Sequence, residues 1–464
     1  MTPPPSEPIK RLLPWLVAVA FFMQSLDTTI LNTAVPAIAQ AMHVTPLGTK
    51  SVLASYTLSL AVFIPISGWT ADRFGTRAVF ASAIALFTLG SVLCGLATNI
   101  AMLVACRVIQ GAGGAMMVPV GRMTMARTFP KSELVGAMAF VAIPSLVGPM
   151  LGPVLGGLIV VYLHWSVVFF VNVPVGLLGL YAVWRHLPDY REAHTPPLDT
   201  VGLVLFGSGI ALLSYVLEVF GEHTLSGPLL LGALLLSFAL LAAYGLRAVR
   251  TPHPLLALGM FRIRTFRAAV CGSFFTRLGL GGIPFLFPLL YQVGLGFSPI
   301  ESGLLVMPQA MAAIGLKALL PSILARYGYR RVLVSNTVIL GVLIMLFATV
   351  GATTPIWRIV VQAFVLGFFT STQYTSMNTL VYADVRSDQM SGASTIAGTG
   401  QQLSMSFGVA IASLVAALFV PERLHSVPSA MIHGVHQAFL ILGVLTVVSS
   451  VVFTSLRWDD AASR

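Results

Sequence analysis

Few residues in this sequence could do chemistry, and they lie where charge is costly. Asp27 is embedded in an apolar segment running from about Leu12 to Met42, and at 100° per residue Gln24, Thr28 and Asn32 share its side of a helix. A carboxylate at membrane depth costs a few kcal/mol at least, so it faces a cavity or a partner rather than lipid. Two roles are open to it: a protonatable group on a transport path, or an acid that locks its helix to a neighbour. Three cations are embedded in the same way. Arg107 shares a helix face with Leu103, Gln110, Gly111 and Gly114; Arg277 shares one with Ser273, Gly281, Pro284 and Pro288. Lys317 has a stem long enough to snorkel toward an interface. An arginine beside Asp27 would make its proton affinity depend on local solvation, a plausible proton switch. Whether Asp27 and Arg107 touch is left open by the sequence.

The elements that carry these residues are membrane spans. The 464 residues are 57% hydrophobic and only 9% charged, with a mean hydropathy of +0.91, which excludes a soluble fold. Fourteen apolar runs of spanning length recur along the chain. Placing the N-terminus in the cytoplasm puts twenty of the 26 Lys and Arg on that side, three on the other and three inside spans. That bias predicts both termini inside, and it accounts for the net charge of +11 without nucleic acid. Lys10 and Arg11, the following apolar run and Ala37-Ile38-Ala39 mimic a secretory signal, but Gln24, Asp27 and Asn32 in the run favour a retained first span. The expected fold class is an all-α polytopic membrane protein with two six-helix halves. Residues 1–190 form the first and 263–464 the second. Residues 191–262 contribute two inserted helices (199–219 and 227–247), read as peripheral packing helices or a lipid-facing insert rather than a pathway. The loops Gly68–Arg77 and Ala325–Arg331 are weakly alike, as expected of related halves around a central site.

Other motifs narrow the chemistry. Gly148, Gly152 and Gly156 stack on one helix face and permit close approach, while Pro149 and Pro153 remove backbone donors. Spans twelve and thirteen are rich in hydroxyls and amides, of which Gln373 and Gln401 are read as cavity-lining, together with Gln24, Asn32 and Arg277. No paired acids or Ser-His-Asp set marks an enzyme, and no phosphate-cradling glycine loop marks an ATPase. The three cysteines, all within apolar segments, and His425, His433 and His436 show no metal-ligand spacing. No cofactor is expected; a proton gradient would supply the driving force.

Leu26 to Pro36 (LDTTILNTAVP), Gly68 to Arg77, Arg107 to Gly111 and Gly148 to Gly157 occur in order, with Gly294 to Pro299 and Gln401 to Gly408 extending the likeness. On these residues the chain resembles the fourteen-span drug:proton antiporter branch of the major facilitator superfamily. The resemblance implies that Asp27 and Arg107 take part in proton coupling. It implies a conformational latch at Gly68, Asp72, Arg73, Gly75 and Arg77, with Asp72 paired to Arg73, Arg77 or a helix N-terminus. It makes Gly148, Pro149, Gly152, Pro153, Gly156 and Gly157 the antiporter motif. Thr70 departs from the usual leucine in the loop but leaves its charges intact. The implied function is multidrug-type export through the bacterial inner membrane, with small molecules, protons and the bilayer as partners. Because the embedded charges lean positive, export of small organic anions or metal chelates, such as carboxylate metabolites, stands as the alternative.

Overall fold

The computed structural model describes residues 7–192, 195–219, 226–315, 320–386, 389–420 and 427–457. In hydrocarbon no water is available to satisfy backbone N–H and C=O groups, so apolar segments fold as helices that satisfy their own. The first six are α1 (Glu7–Ala41), α2 (Lys50–Phe74), α3 (Thr76–Gly95), α4 (Ile100–Thr128), α5 (Lys131–Tyr162) and α6 (Val167–His186). Then come α7 (Thr200–Val219) and α8 (Gly227–Arg250). The last six are α9 (Arg264–Gly294), α10 (Pro299–Gly315), α11 (Leu320–Leu346), α12 (Ile356–Tyr382), α13 (Met390–Phe419) and α14 (Pro428–Phe453). Eleven of the helices among the described residues are long and apolar enough to cross a membrane.

Packing divides the helices. α1 lies along α5, and α4 lies against α2 and α3, with α6 on α3. In the later part α11 packs on α14, α10 on α12, and α9 on α13 and α14. The two groups meet where α5 crosses α10 and where α2 runs beside α13. Gly75 (φ +94°) between α2 and α3 and Gly328 (φ +71°) inside α11 hold matching places in the two similar loops, Phe-Gly-Thr-Arg against Tyr-Gly-Tyr-Arg. A left-handed backbone at both positions favours glycine, so the internal likeness reaches the backbone conformation.

The inserted helices differ from each other. Only 11% of the α8 span is buried, and Leu235, Leu236, Phe238 and Leu246 point outward, as a lipid-facing helix requires. α7 is not simply peripheral: it touches both α2 and α13, one helix from each group. The pair is clamped by Asp199, whose Oδ1 accepts from Arg247 Nε at 2.8 Å and from the Gly202 N–H at 2.9 Å.

Candidate functional site

Asp27 and Arg107 do touch. Arg107 Nη1 donates to Asp27 Oδ2 at 2.7 Å, and both side chains are 1% exposed. The other carboxylate oxygen is also taken: Asp27 Oδ1 accepts from Gln110 Nε2 and from Asn172 Nδ2, each at 2.8 Å. Gln110 closes the ring, its Oε1 accepting from Arg107 Nη1 at 2.7 Å and its amide donating to Ser91 Oγ at 2.8 Å. The guanidinium lies over the Tyr56 ring, 4.3 Å from its centroid. Five helices thus converge on one carboxylate: α1, α2, α3, α4 and α6. A buried charge persists only when paired and hydrogen-bonded, and this one is fully satisfied. Spacing on one helix face accounts for Arg107 and Gln110. Asn172, Ser91 and Tyr56 were not legible as site residues, although an amide inside the apolar run Phe-Val-Asn-Val-Pro carried the same signal as Asp27 itself.

The glycine motif packs against the helix that bears Asp27. A Cβ on Gly148 would meet Ser25 Oγ and the Leu26 backbone at 2.8–2.9 Å, one on Gly152 would strike Thr29, and one on Gly156 the Ile30 carbonyl. The motif has a second face. A Cβ on Gly157 would meet the Pro299 carbonyl, and Gly303 of α10 closes on the Pro153 carbonyl. Pro149, Pro153 and the glycines therefore make α5 a thin layer between α1 and α10, which belongs to the other half.

The Gly68–Arg77 loop forms a different pairing from the one expected. Asp72 pairs with neither Arg73 nor Arg77; it accepts from Arg127 Nη2 of α4 at 2.8 Å, and Arg127 also reaches Glu192 Oε1 at 2.9 Å. Arg73 is exposed and Arg77 half-buried, and among the described residues the backbone N–H of Arg77 is engaged by Asp189 Oδ1 at 3.1 Å. The reason is the chain after α6, which crosses beneath the loop. Thr76 N–H donates to the Tyr190 carbonyl at 3.0 Å, Glu192 N–H to the Asp72 carbonyl at 3.0 Å, and Trp69 Nε1 to the Pro196 carbonyl at 2.8 Å. Gly75 makes room for it, since a Cβ there would sit 2.5 Å from the Asp189 carboxylate. Gly68 has open space around it.

Of the expected cavity residues, two are placed elsewhere. Gln373 is fully buried, accepting from Asn336 Nδ2 and donating to Thr337 Oγ1, both at 2.7 Å. It ties α12 to α11. Arg277 does not point into open space either: it is 6% exposed, donates from Nε to Ser273 Oγ at 3.0 Å and lies 3.6 Å over the Tyr374 ring. No carboxylate pairs with it among the described residues. Gln24 is partly exposed, with a buried Oε1 that has no partner among the described residues; Asn32 is partly exposed; Gln401, also partly exposed, donates to Asn378 Oδ1 at 2.9 Å. Lys317 and His425 lie outside the described residues.

The halves are joined on the face away from the termini. There Gln292 Nε2 of α9 donates to the Thr33 carbonyl at 3.0 Å, Ser413 Oγ to the Leu47 carbonyl at 3.3 Å, and α5 meets α10. Toward the face that carries the termini, a cavity of about 420 Å³ opens between them, lined by α1, α4 and α5 on one side and α12 and α13 on the other.

Two helical bundles, a sealed ion pair in one of them and a cavity open between them define a membrane transporter rather than an enzyme. The chain belongs to the major facilitator superfamily: the family model described as Major Facilitator Superfamily matches residues 17–409 and 269–464. Its relatives include a protein named "Putative multidrug resistance protein MdtD" in Pectobacterium atrosepticum, 40% identical over 448 residues and covering 96% of this chain and 95% of that one. The protein of the same name in Citrobacter koseri is 40% identical, covering 96% and 94%. Among solved structures the fold is similar to a POT family transporter in complex with 5-aminolevulinic acid (TM-score 0.71, 14% identity, covering 98% and 97%). It is also similar to a D-xylose–proton symporter (TM-score 0.68, 14% identity, covering 97% and 99%).

Proposed function

We propose that this protein is a proton-coupled secondary exporter of the multidrug-efflux type, working in a bacterial inner membrane with both termini in the cytoplasm. The observation that carries the reading is the fully satisfied Asp27 carboxylate on α1, gripped on one flank by the α5 glycine seam. Ionised, Asp27 holds five helices of the first half through Arg107, Gln110 and Asn172. Protonated, it loses the charge that pairs with Arg107, and the grip of that network on α1 weakens. Because α5 is clasped by α1 on one face and α10 on the other, a shift of α1 reaches the joint between the halves. Cargo leaving and a proton entering can in this way share one rocking motion of residues 1–190 against 263–464. On this reading, with the termini in the cytoplasm, the cavity between the halves opens inward. The names of the bacterial relatives support drug-like cargo.

The test uses inside-out vesicles with an acid interior and a pH-sensitive dye. Drug addition should release protons in the native protein and not in Asp27→Asn. Release that persists in Asp27→Asn would remove this carboxylate from the coupling.

A second reading keeps the same engine with small organic anions or metal chelates as cargo. Arg277 favours it, as a buried cation of the second half that no described carboxylate neutralises. Arg277→Ala should then weaken anion transport selectively; an equal loss for cations would make Arg277 structural.

A further inference from the structure

The cavity between the halves contains a side chain that no role described so far uses. Arg122 of α4 is exposed, and its guanidinium carbon lies 5.8 Å from the centroid of the Phe21 ring. Unlike Arg107 and Arg127, it has no carboxylate partner among the described residues. Around it stand Met138 and Val141 of α5 and, across the gap, Tyr382 of α12 and Met390 of α13. Phe21 is six residues before Asp27 on α1, so the cavity lies about 9 Å from the ion pair along the helix axis, on the side of the termini.

The lining has the make-up of a ligand site. Its volume of about 420 Å³ falls within the range of roughly 300–1,000 Å³ typical of small-molecule pockets. Two thioethers offer adaptable apolar contact, and two aromatic rings offer flat faces. The one charged group is a guanidinium, whose planar fork matches a carboxylate or sulfonate and repels an ammonium. The site is also composite, so it exists in this form only while the halves stand apart here. A ligand that bridges α4 and α5 to α12 and α13 would therefore favour this conformation.

The geometry points to the Arg122 cavity as the entry site for amphipathic organic acids. The anionic group binds the Arg122 guanidinium, and an aromatic or alkyl body lies against Phe21, Met138, Tyr382 and Met390. This deepens the exporter reading, which supplies only the direction of travel; the binding preference stands or falls independently of it. Arg122 is distinct from Arg277, which is covered by Tyr374 and closed to this space.

A matched pair of probes tests it: dansylglycine, an anion, and dansylcadaverine, a cation, share one fluorophore. Each is titrated by fluorescence against the purified full chain in detergent. The native protein should bind the anion about tenfold more tightly than the cation, and Arg122→Gln should erase that ratio. Arg122→Lys should keep part of it, and Arg122→Glu should reverse it. Equal affinities in the native protein would overturn the inference. So would a preference that survives Arg122→Gln but disappears in Arg277→Gln. Thermal melting of each variant should match the native protein, since Arg122 is exposed and forms no ion pair among the described residues. Proton release driven by dansylglycine is measured in parallel in vesicles. Its absence, with anion-selective binding intact, would sink proton coupling and leave the entry site standing.

Discussion

Thr29 Oγ1 donates to the Gly148 carbonyl at 3.2 Å, two residues beyond Asp27 on one helix and at the first glycine of the motif on the other. The same hydroxyl lies where a Cβ on Gly152 would be. One side chain of α1 therefore bonds the backbone of one glycine of α5 and fills the space left by the next. The glycine motif and the buried acid, separated by 121 positions in the chain, form one packing unit.

That unit predicts a split between two faces of a single helix. Gly152→Val should push α5 off α1, and overpacking of this kind costs about 1–3 kcal/mol. Proton-linked transport should fall at least about tenfold, because the displaced segment is the one that carries Asp27. Gly157→Val instead presses on α10 at Pro299, so it should destabilise the joint between halves while leaving the Asp27 network in place. Transport assays together with thermal melting separate the two; identical behaviour would argue against distinct roles for the faces.

The loop after α2 yields a second prediction. Arg127 is the bridge between Asp72 and Glu192, whereas Arg73 and Arg77 form no described ion pair. All three members are partly exposed, so loss of the bridge should cost less than about 1 kcal/mol of stability. The effect should appear in transport rate: Arg127→Gln should slow turnover several-fold, and Arg73→Gln less. Equal effects, measured as initial rates in vesicles, would return the latch to the loop's own arginines.

How much of this was legible in the sequence depended on whether a residue's partner was local. Apolar run length gave the helices, and 3.6-residue periodicity put Arg107 and Gln110 on one face and the three glycines on another. Partners supplied by distant elements were not legible. Asp72 offered two arginines within five residues, yet it is taken by Arg127 from α4 and flanked by a strand of chain after α6 that no local pattern reveals. Gln373 read as cavity-lining because an amide in a span can bond to cargo or to a neighbouring helix with the same chemistry. Only the position of Asn336 decides between them. Arg277 was placed on the right helix face, but the covering ring of Tyr374 comes from α12. Asn172 was overlooked although its surroundings were as apolar as those of Asp27.

The reassignment of Gln373 can be tested directly. As a tie between α12 and α11, it is a buried polar group whose loss takes one hydrogen bond from each of Asn336 and Thr337, which keep only the Phe369 and Leu333 carbonyls. An unsatisfied buried donor or acceptor costs about 1–3 kcal/mol. Gln373→Leu should lower the melting temperature and leave the order of cargo preference unchanged. A variant of native stability with an altered cargo range would restore Gln373 to the cavity.

The ion pair itself calls for a double-mutant cycle. Removing one member of a buried pair typically costs about 3–5 kcal/mol, because the other charge is left uncompensated, while replacing both can be nearly neutral. Asp27→Asn leaves Arg107 with an amide oxygen and the Gln110 carbonyl, so the fold should survive with reduced stability. Arg107→Gln leaves the carboxylate with Gln110 and Asn172, two neutral donors, and should be at least as damaging. The double variant Asp27→Asn/Arg107→Gln should melt above either single variant yet remain unable to couple export to protons. That combination of recovered stability and absent coupling is the signature expected of a charge pair kept for function. A double variant that melts as the sum of the two singles would show that the pair has little coupling energy, and the five-helix convergence on Asp27 would then rest on Gln110 and Asn172 alone.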